Sequence, residues 1–564
     1  MKLVLTMHPQ NGRSGDDVRA HHWAHAPKRI GVAPEQALRS HRRLLDALEA
    51  VLPVTFMSAV SACAQPAELD GLLVLGEQHE PDMRAMNDRC AVLISSAAGQ
   101  PTSDRAVSVR FAEGAPLAHP LRGRTLRENR APSVGFGSRA DGEIYARAVE
   151  EAVWWAAPGP RWRHFSSYAP PELDPGETLR EHFKARRFMG LLPMLHLLWH
   201  VCGRLERDRP ALRASFVIDD PNLHTSSYGH VRYEELARHA GDHGYHVGFA
   251  TVPLDGWHAS RRGAVLFAEH PQSLSLLMHG NDHTARELGR LTEERPAVEA
   301  LAQALRRTAR LEARSGIVVQ RIMAPPHGAC SHAAARAMFR LGFEALCVSR
   351  PHPWRDGMPA LTTADGWFAA EMAAGGLPVL PRYQLAAPRE DLIFRALLGQ
   401  PLILYGHHGD LADGPDALGR AAQEINSLGR VQWGPLLAIA RDSFSESRHG
   451  RLLVIQMHTR LAEVHVPRDV AEMSVSVPVV HGEPLWNTAS CDGTPVPMLA
   501  RGGGYASPPL PVRADSRVSV SLPAGLPVDA EQVRRPAHSP WPLLRRALVE
   551  GRDRTQPIRR SRRR

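Results

Sequence analysis

Short apolar runs separated by helix-period stretches dominate the middle of this chain. The runs 214–218, 245–251, 274–279, 317–323, 343–348 and 401–405 have the length and side-chain content of buried strands. A shorter run, 264–267, is a further strand candidate. Stretches 231–243, 295–315 and 332–341 carry apolar residues at helical period. Strands alternating with helices predict a parallel sheet. Six or seven such steps, with polar residues recurring at the strand exits, predict an α/β fold of the (β/α) barrel type, complete or incomplete, over 213–440.

The flanks read differently. Residues 1–155 hold strand-like runs at 2–7, 54–57, 71–75, 91–95 and 107–111, a helix-period stretch at 34–51, and a closing segment at 144–155. This predicts a separate α/β domain with a parallel sheet. Its Val134-Gly135-Phe136-Gly137-Ser138 segment lacks the spacing of a dinucleotide fingerprint and reads as a tight turn. Residues 156–212 read as a proline-rich linker followed by one long amphipathic helix, 179–208, interrupted near Pro193. In 441–540 the runs 452–457, 462–466, 473–478 and 518–522 predict a small β-sandwich, either a carbohydrate-binding module or a structural lid, with structural packing the favoured reading. The last segment, 541–564, reads as a basic tail; its end, Arg552 to Arg564, with seven arginines and one acid, reads as disordered, either solvated or touching an anionic partner.

At 564 residues the chain exceeds one ordinary core, and three domains are expected. With 43% hydrophobic and 23% charged residues it has the composition of a soluble globular protein. The net charge of +9 owes much to the tail, and no aromatic residues interleave with the basic ones, so nucleic acid is not an expected partner. Six scattered cysteines with no Cys-x-x-Cys suit a reducing compartment. The N-terminus turns polar too soon for a signal peptide. The longest apolar stretch, 189–203, falls short of the ~20 residues that span a membrane. A cytoplasmic location is expected, and the oligomeric state is not legible.

Two strand exits carry chemistry. The first strand ends on Asp219-Asp220, and burying two carboxylates is costly unless they are paired, hydrogen-bonded or bound to metal. The run 274–278 is followed by His279-Gly280-Asn281-Asp282-His283. Imidazoles four apart can meet on one face of a helical turn and offer two nitrogens to one ion. One carboxylate and two histidines leave positions open for water and substrate. The imidazoles favour zinc, with other divalent ions left open. Taken singly, Asp-Asp also reads as a helix cap and His-x-x-x-His as a solvated face. Two further exits, Ala324-Pro325-Pro326-His327-Gly328 and His407-His408, complete a set that suits metal-assisted amide or ester hydrolysis.

These motifs resemble the polysaccharide deacetylase, or NodB-homology, family over roughly 210–420. Ser215-Phe216-Val217-Ile218-Asp219-Asp220 is similar to its first motif, which implies Asp219 as general base and Asp220 as metal ligand. His279 and His283 match its second motif and are implied as the other ligands. The 324–328 segment resembles its third motif, usually Arg-Pro-Pro-Tyr-Gly, implying an oxyanion or substrate role around His327. Leu404-Tyr405-Gly406-His407 resembles the last motif, whose histidine is the general acid.

Two departures stand out. Ala324 occupies the place of the family arginine that tunes the base, with Arg321 close by in sequence, and His327 replaces a tyrosine. His407 is the expected acid, while His408 reads as a surface residue. His224 and His230 are possible groove residues, as are Trp257, Trp354 and Trp367. The expected activity is metal-dependent removal of an acetyl or acyl group from an N-acetylated sugar or glycan precursor. The alternatives are hydrolysis of a non-sugar amide, a catalytically silent carbohydrate-binding scaffold, and an N-terminal domain that carries the main activity.

Overall fold

The structure is a computed structural model. It describes residues 27–561 except 60–68, 77–89, 96–104, 132–141, 160–161, 204–210, 350–365, 374–375, 388, 479–487, 502–503, 524–526 and 538. The expected strand at 2–7, the 134–138 segment and Trp354 lie outside the described residues.

Parallel strands form the centre: β1 (Leu212–Asp219), β2 (Val247–Thr251), β3 (Leu274–Met278), β4 (Val319–Met323), β5 (Ala345–Val348), β6 (Leu377–Pro381) and β7 (Leu402–His407). β1 lies between β2 and β7, and β3 to β6 follow β2 in order. β6 is unread in the sequence because two of its five residues are proline, which argues against a strand. Past Arg382 the same segment continues as Tyr383–Gln384 and pairs with β7. One stretch of chain therefore leads from β5 across to β7 and brings the ring of strands nearly to closure. Arg382 sits at the changeover, its amide donating to the Val348 carbonyl at 2.8 Å.

Val217, Ala250, Leu277, Ile322, Cys347 and Ile403 belong to a separate buried cluster inside the ring, which makes the interior a packed core. Side chains alternate along a strand. Asp219 and His407, two and four residues beyond Val217 and Ile403, therefore project to the same inner side, and they are partners in register.

Two sequence expectations for this region are corrected. Residues 264–267 lie in a helix, Arg261–Glu269, started by the Ser260 hydroxyl accepting from the Gly263 amide at 3.2 Å. The expected long helix at 179–208 is two helices, Leu179–Lys184 and Leu192–Val201. Pro193 falls in the first turn of the second, where a missing N–H costs nothing.

The N-terminal sheet has nine strands in the order Val54–Ser58, Lys28–Ala33, Gly71–Leu75, Ala91–Ser95, Arg163–Ser166, Glu151–Ala156, Glu143–Ala148, Val107–Phe111 and Thr125–Glu128. The first five run parallel and the rest antiparallel, so the all-parallel expectation fails. The cause is 144–155, which is a hairpin turning on Val149 and Glu150, both at positive φ (49° and 66°). Such turns usually announce themselves as Asn-Gly or Asp-Gly, and this one does not.

Towards the C-terminus, Leu452–Met457, Leu461–Val466, Glu472–Pro478 and Ser516–Ser521 are strands, divided between a six-stranded and a four-stranded sheet. The basic tail is not the disordered segment expected, because Trp541–Ser561 is one α-helix. No described helix is long and apolar enough to cross a membrane. Cys90, Cys202, Cys330, Cys347 and Cys491 are free thiols.

Candidate metal centre

Asp219 is buried at the end of β1, and Arg382 Nη1 donates to its Oδ1 at 2.7 Å. The guanidinium lies over the Tyr405 ring at 4.3 Å. Burial works against its charge, but the Asp219 carboxylate more than offsets this and raises the arginine's affinity for its proton. Arg382 is thus the cation paired with Asp219. Arg321, the nearby substitute considered from sequence, points elsewhere and pairs with Glu312 at 2.8 Å. A lone arginine in the apolar stretch 377–385 was the available signal, since arginine is seldom fully buried unless paired. Beneath this pair burial pushes the Cys347 thiol up to about 12, so it stays protonated and inert.

Asp220, His279 and His283 come together as expected, their ligand atoms all within 4.8 Å of one another. Asp220 Oδ1 is 3.0 Å from His283 Nε2 and 3.8 Å from His279 Nε2, yet it is buried with no donor aimed at it in hydrogen-bonding geometry. His279 Nδ1 lies 2.7 Å from the Ala324 carbonyl, an acceptor, which fixes the proton there and leaves the Nε2 lone pair facing Asp220. Burial holds the His279 imidazole down to about 4, against the pull of both carboxylates, so it is neutral as a ligand must be. Burial pushes the Asp220 carboxyl up, but His283, His279 and Arg546 together outweigh it and keep the group ionised. A bare carboxylate oxygen and oriented imidazole nitrogens fit a divalent cation.

The histidine pair is presented differently from expectation, by a loop and not by a helical turn. The loop closes around Glu287, whose carboxylate accepts from the amides of Asn281 (2.6 Å), Asp282 (3.1 Å), His283 (3.2 Å) and Thr284 (3.2 Å). Gly280, at φ 70°, has no room for a side chain, because a Cβ there would stand 2.0 Å from Glu287 Oε1. Asp220 and His283 also adopt left-handed backbone (φ 81° and 55°), as residues held at functional sites often do. Sequence reasoning missed Glu287, although an acid four residues beyond His283 at a helix start was a usable sign.

His327, in a left-handed turn at φ 58°, is exposed with its ring 5.7 Å from that of His283. Burial and the neighbouring His283 and Arg545 lower its proton affinity. His407 is exposed at the mouth on the inner side shared with Asp219. His408 is not the surface residue expected. It is buried, stacked on His230 at 5.8 Å, with Nε2 3.6 Å from Asp553. Of the candidate groove aromatics, Trp257 is exposed, while Trp367 is core and packs against Phe183.

The C-terminal helix lies across this mouth. Arg546 is 2% exposed; its Nε donates to Asp255 Oδ2 at 2.8 Å and its Nη2 to the Asp220 carbonyl at 2.7 Å, with Nη1 3.7 Å from Asp220 Oδ1. Arg545 donates to the His283 carbonyl. Asp553 accepts from Tyr228 Oη at 2.9 Å, Glu550 lies 3.3 Å from His224 Nδ1, and Arg554 Nη2 donates to Asn222 at 3.1 Å. One helix therefore touches the exits of β1, β2, β3 and β7. Nothing in an arginine-rich tail marks Arg546 out in advance.

No protein-family model matches the sequence, and no curated protein matches it. Over 40% of its length the chain is similar to solved carbohydrate esterases of family 4. It covers 92% of the family 4 carbohydrate esterase from Streptomyces lividans in complex with acetate, at 10% identity and a TM-score of 0.25. It covers 85% of a Streptococcus mutans CE4 esterase at 12% identity and a TM-score of 0.25. A CE4 family pseudoenzyme from Bacillus anthracis is 68% covered at 10% identity and a TM-score of 0.24. Likeness at this level, shared by an enzyme and a pseudoenzyme alike, decides nothing about catalysis.

Proposed function

We propose that this chain is a metal-dependent hydrolase that removes an acetyl or acyl group from an N-acetylated sugar or glycan precursor. One observation carries the reading: Asp220, His279 and His283 converge beside a buried, arginine-paired Asp219. A divalent ion bound by those three residues, zinc being favoured by the imidazoles, would polarise the acyl oxygen and acidify a water. Asp219 takes the proton from the attacking water, and the Arg382 ion pair holds it oriented until then. A main-chain N–H in the Pro325-Pro326-His327-Gly328 turn meets the developing oxyanion, its direction set by the prolines and the left-handed His327. His407 gives a proton to the leaving nitrogen as the C–N bond breaks, releasing acetate and a free amine. The sugar preference follows the motif resemblance.

The test separates chemistry from metal binding. Asp219→Asn should keep the metal content of wild type and lose acetate release from N-acetylated sugars by about a hundredfold or more. Acetate release unchanged in Asp219→Asn, or absent from wild-type protein containing metal, would overturn this reading.

A further inference from the structure

The C-terminal helix is amphipathic the wrong way round for a surface helix. Its charged side, with Arg545, Arg546, Glu550, Asp553 and Arg554, faces the barrel mouth. Its apolar side faces out: Trp541 is 59% exposed, Leu543 48%, Leu544 55% and Leu548 65%. Trp541, Leu544 and Leu548 are spaced three and four apart and form one stripe. Monomeric proteins rarely leave such a stripe uncovered without using it.

Charge names the occupant. After Arg554, which is held on the inner side, residues 555–564 contain Arg559, Arg560, Arg562, Arg563 and Arg564 and no acid. Within the apolar stretch tryptophan is joined by leucines, the pairing that seats a helix at the boundary between headgroups and acyl chains. A nucleic acid would use the arginines and leave the leucines without a role. A protein groove would use the leucines and leave the arginine run unexplained. An anionic bilayer surface uses both, and polybasic ends next to apolar anchors are the form such binding takes.

We propose that the outer face of the C-terminal helix docks this protein on an anionic membrane surface, with the barrel mouth turned towards the bilayer. The inner contacts stay as they are, so no opening motion is required. This holds whether or not the centre is catalytic, because its readout is binding.

The test is co-sedimentation of the full chain with phosphatidylcholine vesicles and with vesicles of phosphatidylcholine and phosphatidylglycerol. Binding is expected only with phosphatidylglycerol and should weaken as salt is raised. Leu544→Asp and Leu548→Asp should each weaken it by roughly tenfold or more, with the melting profile of the soluble protein unchanged. Absence of binding to the phosphatidylglycerol vesicles would overturn the proposal. So would binding indifferent to both aspartate substitutions, which would mark a general polyanion site. Concentration-dependent self-association abolished by Leu544→Asp, without vesicle binding, would assign the stripe to a second copy instead.

Discussion

Arg382 reaches Asp219 across 163 residues of sequence, and the pair is buried on both sides. Removing one partner of such a pair leaves an uncompensated charge in the core. Arg382→Ala is therefore expected to lower unfolding stability by about 3–5 kcal/mol in a urea titration, and the Arg382→Met, Asp219→Asn double variant by much less than the sum of the singles. Additive losses would mean that the two side chains do not depend on each other. At Gly280 the account is steric. Gly280→Ala is predicted to cost about 1–3 kcal/mol and to weaken metal binding, because it drives Glu287 off the loop that presents His279 and His283. Unaltered metal affinity in that variant would contradict it. At this scale Asp219, Asp220, His279 and His283 were legible because each pair is local in sequence and ends an apolar run. Arg382 and Glu287 were not, since their roles come from contacts that the chain makes only after folding.

Among the elements, strands fully buried on both faces announce themselves as continuous apolar runs, which is why β1 to β5 and β7 were readable. β6, with prolines at 378 and 381, and the hairpin at Val149 and Glu150 were hidden by atypical residues. The C-terminal helix was hidden for another reason. It is held by ion pairs to the barrel mouth, and its short apolar stripe, Trp541, Leu544 and Leu548, faces outward, so the periodicity does not announce a docked helix. Its key contact is Arg546 with Asp255, both buried. Arg546→Ala should destabilise the protein by about 3–5 kcal/mol and speed proteolysis near residue 541, whereas Arg552→Ala should stay within about 0.5 kcal/mol. Equal effects would show that the helix is not anchored through Arg546.

The molecule as a whole should be sensitive to acid. His164 is buried and accepts from Trp154 Nε1 at 3.1 Å, and burial with its neighbours His196 and His200 holds it down to about 2. Burial holds His246 down to about 4. Both imidazoles titrate near 6.5 when unfolded, so below that pH the unfolded state binds two more protons and stability falls on acidification. Glu128 acts in the opposite sense. Burial raises it to about 7 from 4.5, so its contribution is present at low pH and is lost as pH rises through that window. For these three groups one proton's worth remains between pH 4.5 and 6.5, a slope of about 1.4 kcal/mol per pH unit on acidification, and His279, also held down to about 4, steepens it. Urea midpoints across this range should show that slope, and His164→Gln should flatten it; midpoints independent of pH would refute the assignment. The pattern of strands gave away the barrel, but the mixed N-terminal sheet and the helix over the mouth depend on long-range pairing that no local signal reports. The most direct test of the central claim is the metal content of the purified chain beside Asp220→Ala and His283→Ala. The account predicts about one divalent ion per wild-type chain, by the logic of one three-ligand site, and loss of that ion in both variants. A wild-type chain that binds no divalent ion even after reconstitution, or variants that bind it as wild type does, would contradict it.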